Sequence, residues 1–385
     1  MTKDELPPAL IERFRALRAE PSTDEGNDPH RRARVDRTRE EALVQGSAIS
    51  ETLAAAAPGI ADLAAAAAGR DLRRAVVVGC GDSWIVGTAV RLAWERCLGV
   101  PLEPAQAFDW AHYAAVTADA GTIVFGLSAS GATPPVQEAL NQAKARGAMT
   151  IGLSNTPDRP LLTDYDHGFL IKATRKGWPT QSSTAAAALL IAIAAALAAS
   201  RGRASAADPA RQALAALPGL MDATAAATDA PMAALAASLA RVRYLQFTGA
   251  GPHLAAAAFG AAKVRELSPI HAAAMPLEEY HHYRSQKPGD VLVMVAPDAA
   301  SHARALDTAI MSRGCSGRLV ALLPEGETEI AALADDVVRL PVVPDIIAPL
   351  IHAVPLHLFA YHFAIARFAQ GLGYPGAFPE GTAAP

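Results

Sequence analysis

Short runs of buried-type residues alternate with amphipathic segments in the first half of the chain. The run RAVVVGCG at 74–81 is rich in β-branched residues and ends in glycines, and a helix is predicted from Ser83 to about Leu98. The order then recurs as strand, small-residue turn, helix and strand over 121–126, 127–133, 135–147 and 148–153. Because parallel neighbours require crossovers, this alternation predicts a parallel sheet.

The same alternation returns in the second half, after an alanine-rich stretch. Residues 184–239 predict helix, with breaks at 201–205 and at Pro218 and Gly219. Beyond them, strand, helix, strand, helix and strand are predicted over 242–248, 254–267, 291–296, 301–313 and 319–323. Repetition at domain scale predicts an α/β fold of two similar lobes, each a doubly wound parallel sheet with flanking helices.

These patterns divide the chain into five parts. They are an N-terminal helical arm (1–60), a first lobe (61–200), a helical connector (201–240), a second lobe (241–370) and a C-terminal tail (371–385). Within the arm, the stretch 21–29 is typical of a loop between two helices. The site chemistry is expected in the lobes.

Composition and charge exclude several classes of protein. A chain of 385 residues with 51% hydrophobic and 19% charged residues is globular, and a net charge of -4 leaves no basic surplus for nucleic acid. The apolar run 185–199 is shorter than the roughly 20 residues of a membrane span, so a buried helix is expected there. We therefore expect no nucleic-acid partner and no membrane.

Cysteine usage and the N-terminus indicate the compartment. Cys80, Cys97 and Cys315 are too few and too scattered for a disulfide framework. Residues 1–28 mix charged with apolar side chains, which is unlike a signal peptide. Both observations favour the cytoplasm.

A turn rich in hydroxyls is the first candidate site. Residues 128–133 (SASGAT) lie between a predicted strand and a predicted helix, where open α/β folds bind ligands. Ser128, Ser130 and Thr133, with free N–H groups at a helix start, suit an anion such as phosphate. The alternative is an ordinary Ser/Thr helix cap.

A second turn of the same kind strengthens the anion site. Gly79 to Ser83 (GCGDS) occupies another strand-to-helix junction of the same sheet. Neither turn carries the G-x-G-x-x-G fingerprint or a G-K-S/T sequence, so nicotinamide and ATP chemistry are disfavoured.

The second candidate site combines an ammonium, a carboxylate and histidines. Lys263 and Glu266 are three residues apart and share a helix face. Such a pair beside a histidine can move a proton next to a carbonyl, although a solvated, salt-bridged helix end is the alternative. A metal at His271, His281 and His282 lacks supporting spacing, so we expect no metal and no cofactor.

At these motifs the sequence resembles the double SIS (sugar isomerase) domain family. It is most similar to the isomerase half of glucosamine-6-phosphate synthase and to the related amino-sugar-phosphate deaminases and deglycases, over about residues 40–370. The motifs are S-x-S-G-x-T at 128–133, G-C-G-x-S at 79–83, the helix start Ser183-Thr184, and K-x-x-E-x-x-x-x-H with E-x-x-H over 263–282.

The resemblance assigns roles to named residues. It implies that Glu266 moves a proton between C1 and C2, that His282 opens the sugar ring in the neighbouring subunit of a homodimer, and that Lys263 supports the enediolate. It implies that the sugar phosphate is held by Ser83, Ser128, Ala129, Ser130 and Thr133. Further substrate contacts are expected from Gly81, Ser183 and Glu279.

The chain departs from the family pattern at several places. Ala129 stands where the family has Gln, and Asp82 where it has Thr; a carboxylate there is expected to repel a phosphate. No counterpart of the glutamine-hydrolysing half is present, and residues 370–385 contain no lysine to match the synthase's C-terminal one. We therefore expect no glutamine-fed synthesis from this chain alone.

The predicted function is a metal-free aldose–ketose isomerase acting on a sugar phosphate or a similar anionic sugar. Glu266 is the predicted base, and an adjacent cation lowers the energy of the enediolate. Two alternatives stay open: a deaminase or deglycase of an amino-sugar phosphate, and a sensor that binds a sugar phosphate without turnover.

Overall fold

The computed structural model describes residues 29–268, 270–295 and 297–372. Two helices come first, α1 (Pro29–Ala42) and α2 (Gln45–Ala67). The loop predicted from residue 21, the helix predicted before it, and the tail from residue 373 lie outside the described residues. Helix α2 runs across the predicted arm boundary at residue 60, because its apolar face packs on the first lobe.

The first lobe contains a five-stranded sheet in which all paired strands are parallel. Its strands are β1 (Arg74–Gly79), β2 (Leu102–Gln106), β3 (Thr122–Leu127), β4 (Met149–Ser154) and β5 (His167–Leu170). Its longer helices are α3 (Asp82–Leu98), α4 (Pro134–Ala145) and α6 (Gln181–Ser200), and α5 (Pro160–Thr163) is a single turn. A further helical segment between β2 and β3 consists of Ala107–Asp109, Trp110–Ala114 and Ala115–Thr117. The strand order is β2-β1-β3-β4-β5.

The second lobe follows a long helix, α7 (Ala204–Leu239), and has a sheet of the same size. Its strands are β6 (Tyr244–Gly249), β7 (His271–Pro276), β8 (Val291–Val295), β9 (Arg318–Pro324) and β10 (Asp336–Leu340). Its helices are α8 (His253–Leu267), α9 (Leu277–Tyr283), α10 (His302–Gly314) and α11 (Ala348–Ala369). The order β10-β9-β8-β6-β7 repeats that of the first sheet, which confirms the predicted doubly wound α/β fold of two lobes.

The register of the first sheet sets the place of the site. Strand β1 pairs with β2 on one side and β3 on the other, so the strand order reverses there. Ligands bind at such a reversal, outside the carboxyl ends of the strands. Gly79 stands opposite Leu127, so the turns after β1 and β3 leave the sheet side by side.

The structure adds four strands that the sequence analysis did not predict: β2, β5, β7 and β10. All four are edge strands and none is buried along its whole length, so their sequences lack the fully buried pattern of the central strands. Strand β2 (LEPAQ) even contains Pro104, which an edge strand tolerates because one side of its backbone needs no partner.

The predicted break at Pro218 and Gly219 is wrong. Helix α7 continues through both residues, whereas the predicted break at 201–205 coincides with the gap between α6 and α7. Packing of α7 along α11 and α6 outweighs the local cost of a proline in the helix.

Two helices, α6 and α11, are long and apolar enough to cross a membrane by composition alone. In each, 83% of the most apolar window is buried inside the protein. Helix α6 packs against α2, α3 and α7, and α11 against α7 and α8. Both are therefore core helices, as predicted for 185–199.

Candidate active site

A cavity of about 250 Å³ lies at the carboxyl ends of β1 and β3. It is lined by Cys80, Gly81, Asp82, Ser83, Leu127, Ser128, Ala129, Ser130, Thr133, Val136, Asn155, Arg175, Pro179, Ser182, Ser183 and Glu266. Eight of the predicted site residues line it: Gly81, Ser83, Ser128, Ala129, Ser130, Thr133, Ser183 and Glu266. The structure thus joins the two anion turns to a carboxylate of the second lobe.

Three hydroxyls of the turn after β3 point at one another. The Oγ of Ser128 lies 2.6 Å from the Oγ1 of Thr133 and 3.2 Å from the Oγ of Ser130. Thr133 holds the N-cap position of α4 but makes no side-chain cap bond, so its hydroxyl serves the cluster instead. This arrangement differs from the ordinary helix cap that was the alternative for this turn.

The tight turns depend on glycine at two positions. Gly131 has a φ of +68°, which favours glycine, and a Cβ there would lie 2.5 Å from the Cβ of Arg159. A Cβ on Gly79 would lie 2.6 Å from the backbone carbon of Ser83.

Helices α3, α4 and α6 all begin at the cavity, so three positive helix ends face it.

The N-terminal helices hold a loop that brings Arg175 to the cavity. The carboxylate of Glu41 accepts hydrogen bonds from the Thr174 hydroxyl at 2.6 Å and from the Lys176 N–H at 2.8 Å. Arg175, between these two residues, lines the cavity and is exposed. Sequence reasoning missed Arg175, Asn155 and Ser182, because isolated residues in a loop or at a helix start carry no motif.

A buried ion cluster joins the two lobes behind the cavity. The Nζ of Lys263 lies 2.7 Å from the Oδ2 of Asp82 and donates a hydrogen bond to Glu266. The Lys263 side chain is 0% exposed, Asp82 9% and Glu266 33%. The Ser183 hydroxyl donates to the same Asp82 oxygen at 3.2 Å, while the other, Oδ1, has no hydrogen-bond partner among the described residues.

The cluster sets the charges of its three members. Burial raises the pKa of Glu266; Lys263 opposes this effect and Asp82 adds to it, so Lys263 does not simply keep the carboxylate ionised. Burial would lower the pKa of Lys263, but the two carboxylates raise it overall. The charge of Asp82, expected to repel a phosphate, is paired with Lys263. Lys263 itself lies behind the cavity wall, outside the lining residues.

The structure does not bring His282 or Glu279 to the cavity of their own chain. Both lie on α9, where the His282 side chain is 65% exposed and its Nε2 is 3.4 Å from the Oε1 of Glu278. Within the described ranges, no group of three His, Cys, Asp or Glu side chains is placed to hold a metal ion.

Comparison with known proteins identifies the family. The model of the SIS domain matches twice, at residues 70–200 and 238–367, which together cover more than half of the chain. The chain belongs to the SIS domain family. The resemblance inferred from the sequence motifs is therefore confirmed, and each SIS domain corresponds to one sheet of the fold.

Relatives of this SIS protein include glutamine–fructose-6-phosphate aminotransferase [isomerizing] of Gloeobacter violaceus, 30% identical over 77% of this chain and 50% of that protein. The chain spans about half the length of the curated relatives it matches.

Solved structures share the SIS fold. The C-terminal domain of glucosamine-fructose-6-phosphate aminotransferase from Francisella tularensis has a TM-score of 0.74 at 21% identity, covering 86% of this chain and 96% of that chain. Glucosamine-6-phosphate deaminase from Thermotoga maritima gives 0.66 at 17% identity, covering 87% and 95%. Tagatose-6-phosphate ketose/aldose isomerase from Escherichia coli gives 0.67 at 17% identity, covering 85% and 92%.

Proposed function

We propose that the protein is a cytoplasmic enzyme that interconverts the aldose and ketose forms of a sugar phosphate, or of a similar anionic sugar, through an enediol. The observation that carries the proposal is the presence of the Glu266 carboxylate on the wall of the same cavity as the hydroxyl turn. Relatives named for isomerising, aminating or deaminating phosphosugars support the substrate class.

In the proposed reaction, the anion occupies the turn after β3. Ser128, Ser130 and Thr133 donate hydrogen bonds to its oxygens, and the starts of α3 and α4 stabilise its charge. Ser83 at the start of α3, Ser183 at the start of α6, and the backbone at Gly81 and Ala129 complete the contacts. The open-chain sugar then extends from this turn toward Glu266.

Glu266 removes the proton at C2 and returns it at C1, while the hydroxyl proton of O2 is lost and a proton is gained at O1, so that the aldehyde becomes a hydroxyl and C2 becomes the ketone carbon. Lys263 offsets part of the negative charge of Asp82 and Glu266, which lowers the electrostatic repulsion that a developing enediolate meets. These steps need no metal and no cofactor, because the proton leaves and returns through one carboxylate.

Proton exchange with solvent tests the proposal. In heavy water, recovered sugar phosphate should carry deuterium at C1 or C2, since the proton on Glu266 exchanges between removal and return. Glu266→Gln should abolish this incorporation and lower the rate by on the order of a hundredfold or more.

Glu279→Gln tests the alternative base, because Glu279 lies on α9 with His282 and does not line the cavity of its own chain. If Glu279→Gln loses exchange and Glu266→Gln keeps it, the base is Glu279. If neither variant nor wild type exchanges any of a panel of sugar phosphates, a binding role without turnover replaces the enzyme.

We also propose a homodimer in which His282 completes the partner's site. The exposure of His282 on its own chain, away from the cavity, supports this arrangement. Mixing inactive Glu266→Gln and His282→Ala subunits should restore part of the activity, since some mixed dimers hold one intact site. No recovery after confirmed subunit exchange would show that each chain completes its own site.

A further inference from the structure

The second lobe has a cavity of its own, of about 360 Å³, at the carboxyl ends of β6, β8, β9 and β10. Strand β6 pairs with β7 on one side and β8 on the other, so the strand order reverses there as it does at β1 in the first lobe. Open α/β sheets bind ligands at such a reversal, and the volume is that of a small-molecule site. The proposed sugar-phosphate reaction does not use this cavity.

The two turns beside this cavity occupy the places of the anion turns but carry different side chains. Counted back from the start of the next helix, Asp298 stands where Ser130 stands in the first lobe. Counted from the end of the preceding strand, His253 stands where Ser83 stands. Among the described residues that line the cavity there is no serine or threonine. A phosphate therefore lacks here the hydroxyl donors that the first cavity offers.

The charged groups of the wall are acidic. Four carboxylates line the cavity, those of Asp298, Glu325, Glu327 and Asp345. The described lining residues include no lysine or arginine. Glu327 lies 3.3 Å from the Nε2 of His302, and Asp345 lies 3.3 Å from the guanidinium of Arg96. The side chain of Asp298 is 26% exposed, so this carboxylate is both accessible and partly desolvated.

Two buried histidines on the same wall lack hydrogen-bond partners. The Nδ1 atoms of His253 and His352 lie 3.2 Å apart, and the two residues are only 3% and 5% exposed. Neither Nε2 atom has a hydrogen-bond partner among the described residues. Since buried polar atoms are nearly always paired, these nitrogens indicate that a further group belongs beside them.

The contact between the two rings determines what they offer. Burial lowers the pKa of both histidines, that of His352 to about 3, so each ring is neutral at pH 7 and carries one N–H. One ring donates through Nδ1 and is left with a bare Nε2, while the other accepts through Nδ1 and has an Nε2–H. One bare acceptor nitrogen therefore lies on the wall in either arrangement. The Oδ2 of Asp298, 3.7 Å from the Nε2 of His253, is a second acceptor nearby.

We propose that this second cavity is a binding site for a small organic cation, an ammonium on a short apolar carbon skeleton. Asp298 pairs with the ammonium, and the bare imidazole nitrogen accepts one of its hydrogen bonds. The carbon skeleton packs against the apolar part of the wall, formed by Pro297, Pro324, Pro341, Val342 and Val343. A metal ion is the poorer occupant, because within the described ranges no three His, Cys, Asp or Glu side chains are placed to hold one.

Two probes of similar shape and different charge test the site. Cyclohexylamine is the cation, and cyclohexanol is its uncharged counterpart. In saturation-transfer NMR titrations of the full chain at pH 7, the amine should bind at least about tenfold more tightly, which corresponds to one hydrogen bond between charged groups. Equal affinities for the two probes would overturn the inference.

Variants of single carboxylates locate the amine. Asp298→Asn keeps an oxygen for the hydrogen bonds from Ser301 but removes the charge, so the preference for the amine should fall to within about threefold. Asp307→Asn is the matched control, because its side chain is 58% exposed on α10 and does not line the cavity; the preference should be unchanged. Asp82→Asn, in the first cavity, should also keep it. Loss of the preference in Asp82→Asn and not in Asp298→Asn would place the amine in the first cavity and reject the proposed site.

A soaked crystal gives an answer that does not depend on a folded variant. Cyclohexylamine, soaked into wild-type crystals above its measured Kd, should lie with its nitrogen within hydrogen-bond distance of Asp298. Density for the amine only elsewhere, or none, would refute the assignment. Because neither measurement involves a sugar phosphate, absence of exchange in heavy water would reject the proposed function and leave this site intact.

Discussion

Replacing Lys263 with methionine probes the ion cluster between the lobes. The change keeps a long unbranched side chain but removes the ammonium that contacts Asp82 and Glu266. Asp82 then keeps a charge in a wall where its side chain is 9% exposed, while Glu266, 33% exposed, retains more contact with water. The loss of stability should therefore result mainly from the unpaired charge of Asp82.

Removing one partner of a buried ion pair costs about 3–5 kcal/mol. We expect Lys263→Met to lower the free energy of unfolding by about this amount at pH 7, because Lys263 is 0% exposed. Urea unfolding followed by circular dichroism measures it, and the midpoints are comparable only if the slope with urea is unchanged.

The double variant Lys263→Met/Asp82→Asn identifies the partner that causes the loss. Since asparagine carries no charge, this protein should recover most of the lost stability. Arg265→Met is the matched control on the same helix: Arg265 is exposed, and its replacement should change stability by less than about 0.5 kcal/mol. A loss below about 1 kcal/mol in Lys263→Met, or no recovery in the double variant, would refute the energetic role of the pair.

Three further predictions concern the turn and the base. Ser130→Ala should raise KM about 10- to 150-fold through loss of one charge-assisted hydrogen bond, whereas Ser50→Ala, on the exposed side of α2, should leave KM unchanged. Gly131→Ala should lower the unfolding temperature by more than Gly202→Ala does. Both glycines have a positive φ, but only at Gly131 would an added Cβ lie against Arg159 and Ser154. Because the folded-state pKa of Glu266 is raised, its contribution to stability is present below the unfolded value near 4.3 and is lost as pH rises through the folded value. As pH rises across this window, the unfolding temperature of Glu266→Gln should rise relative to that of wild type. An unfolding temperature that depends on pH in the same way for both proteins would contradict the raised pKa.

The sequence by itself determined the two lobes and the anion turn. The strands predicted at 74–81 and 121–126 are continuous apolar runs, since both faces of a parallel strand are covered by helices. The hydroxyls at 128–133 follow such a strand directly, so a local motif sufficed to place them at the ligand-binding edge. These features depend on residues that are close together in the chain, so the local sequence pattern is enough to predict them.

Only the tertiary structure decided the charges of the site. Glu41 holds the loop of Arg175 from a helix far away in the chain, and Asp82 meets Lys263 across the contact between α3 and α8. From the sequence, Asp82 is expected to repel a phosphate, and Lys263 is expected to pair with Glu266 on the same helix. The pairing of Asp82 with Lys263, and the raised pKa of Glu266, result from packing between two lobes, because the energy of a buried charge depends on what surrounds it and not on its neighbours in the chain.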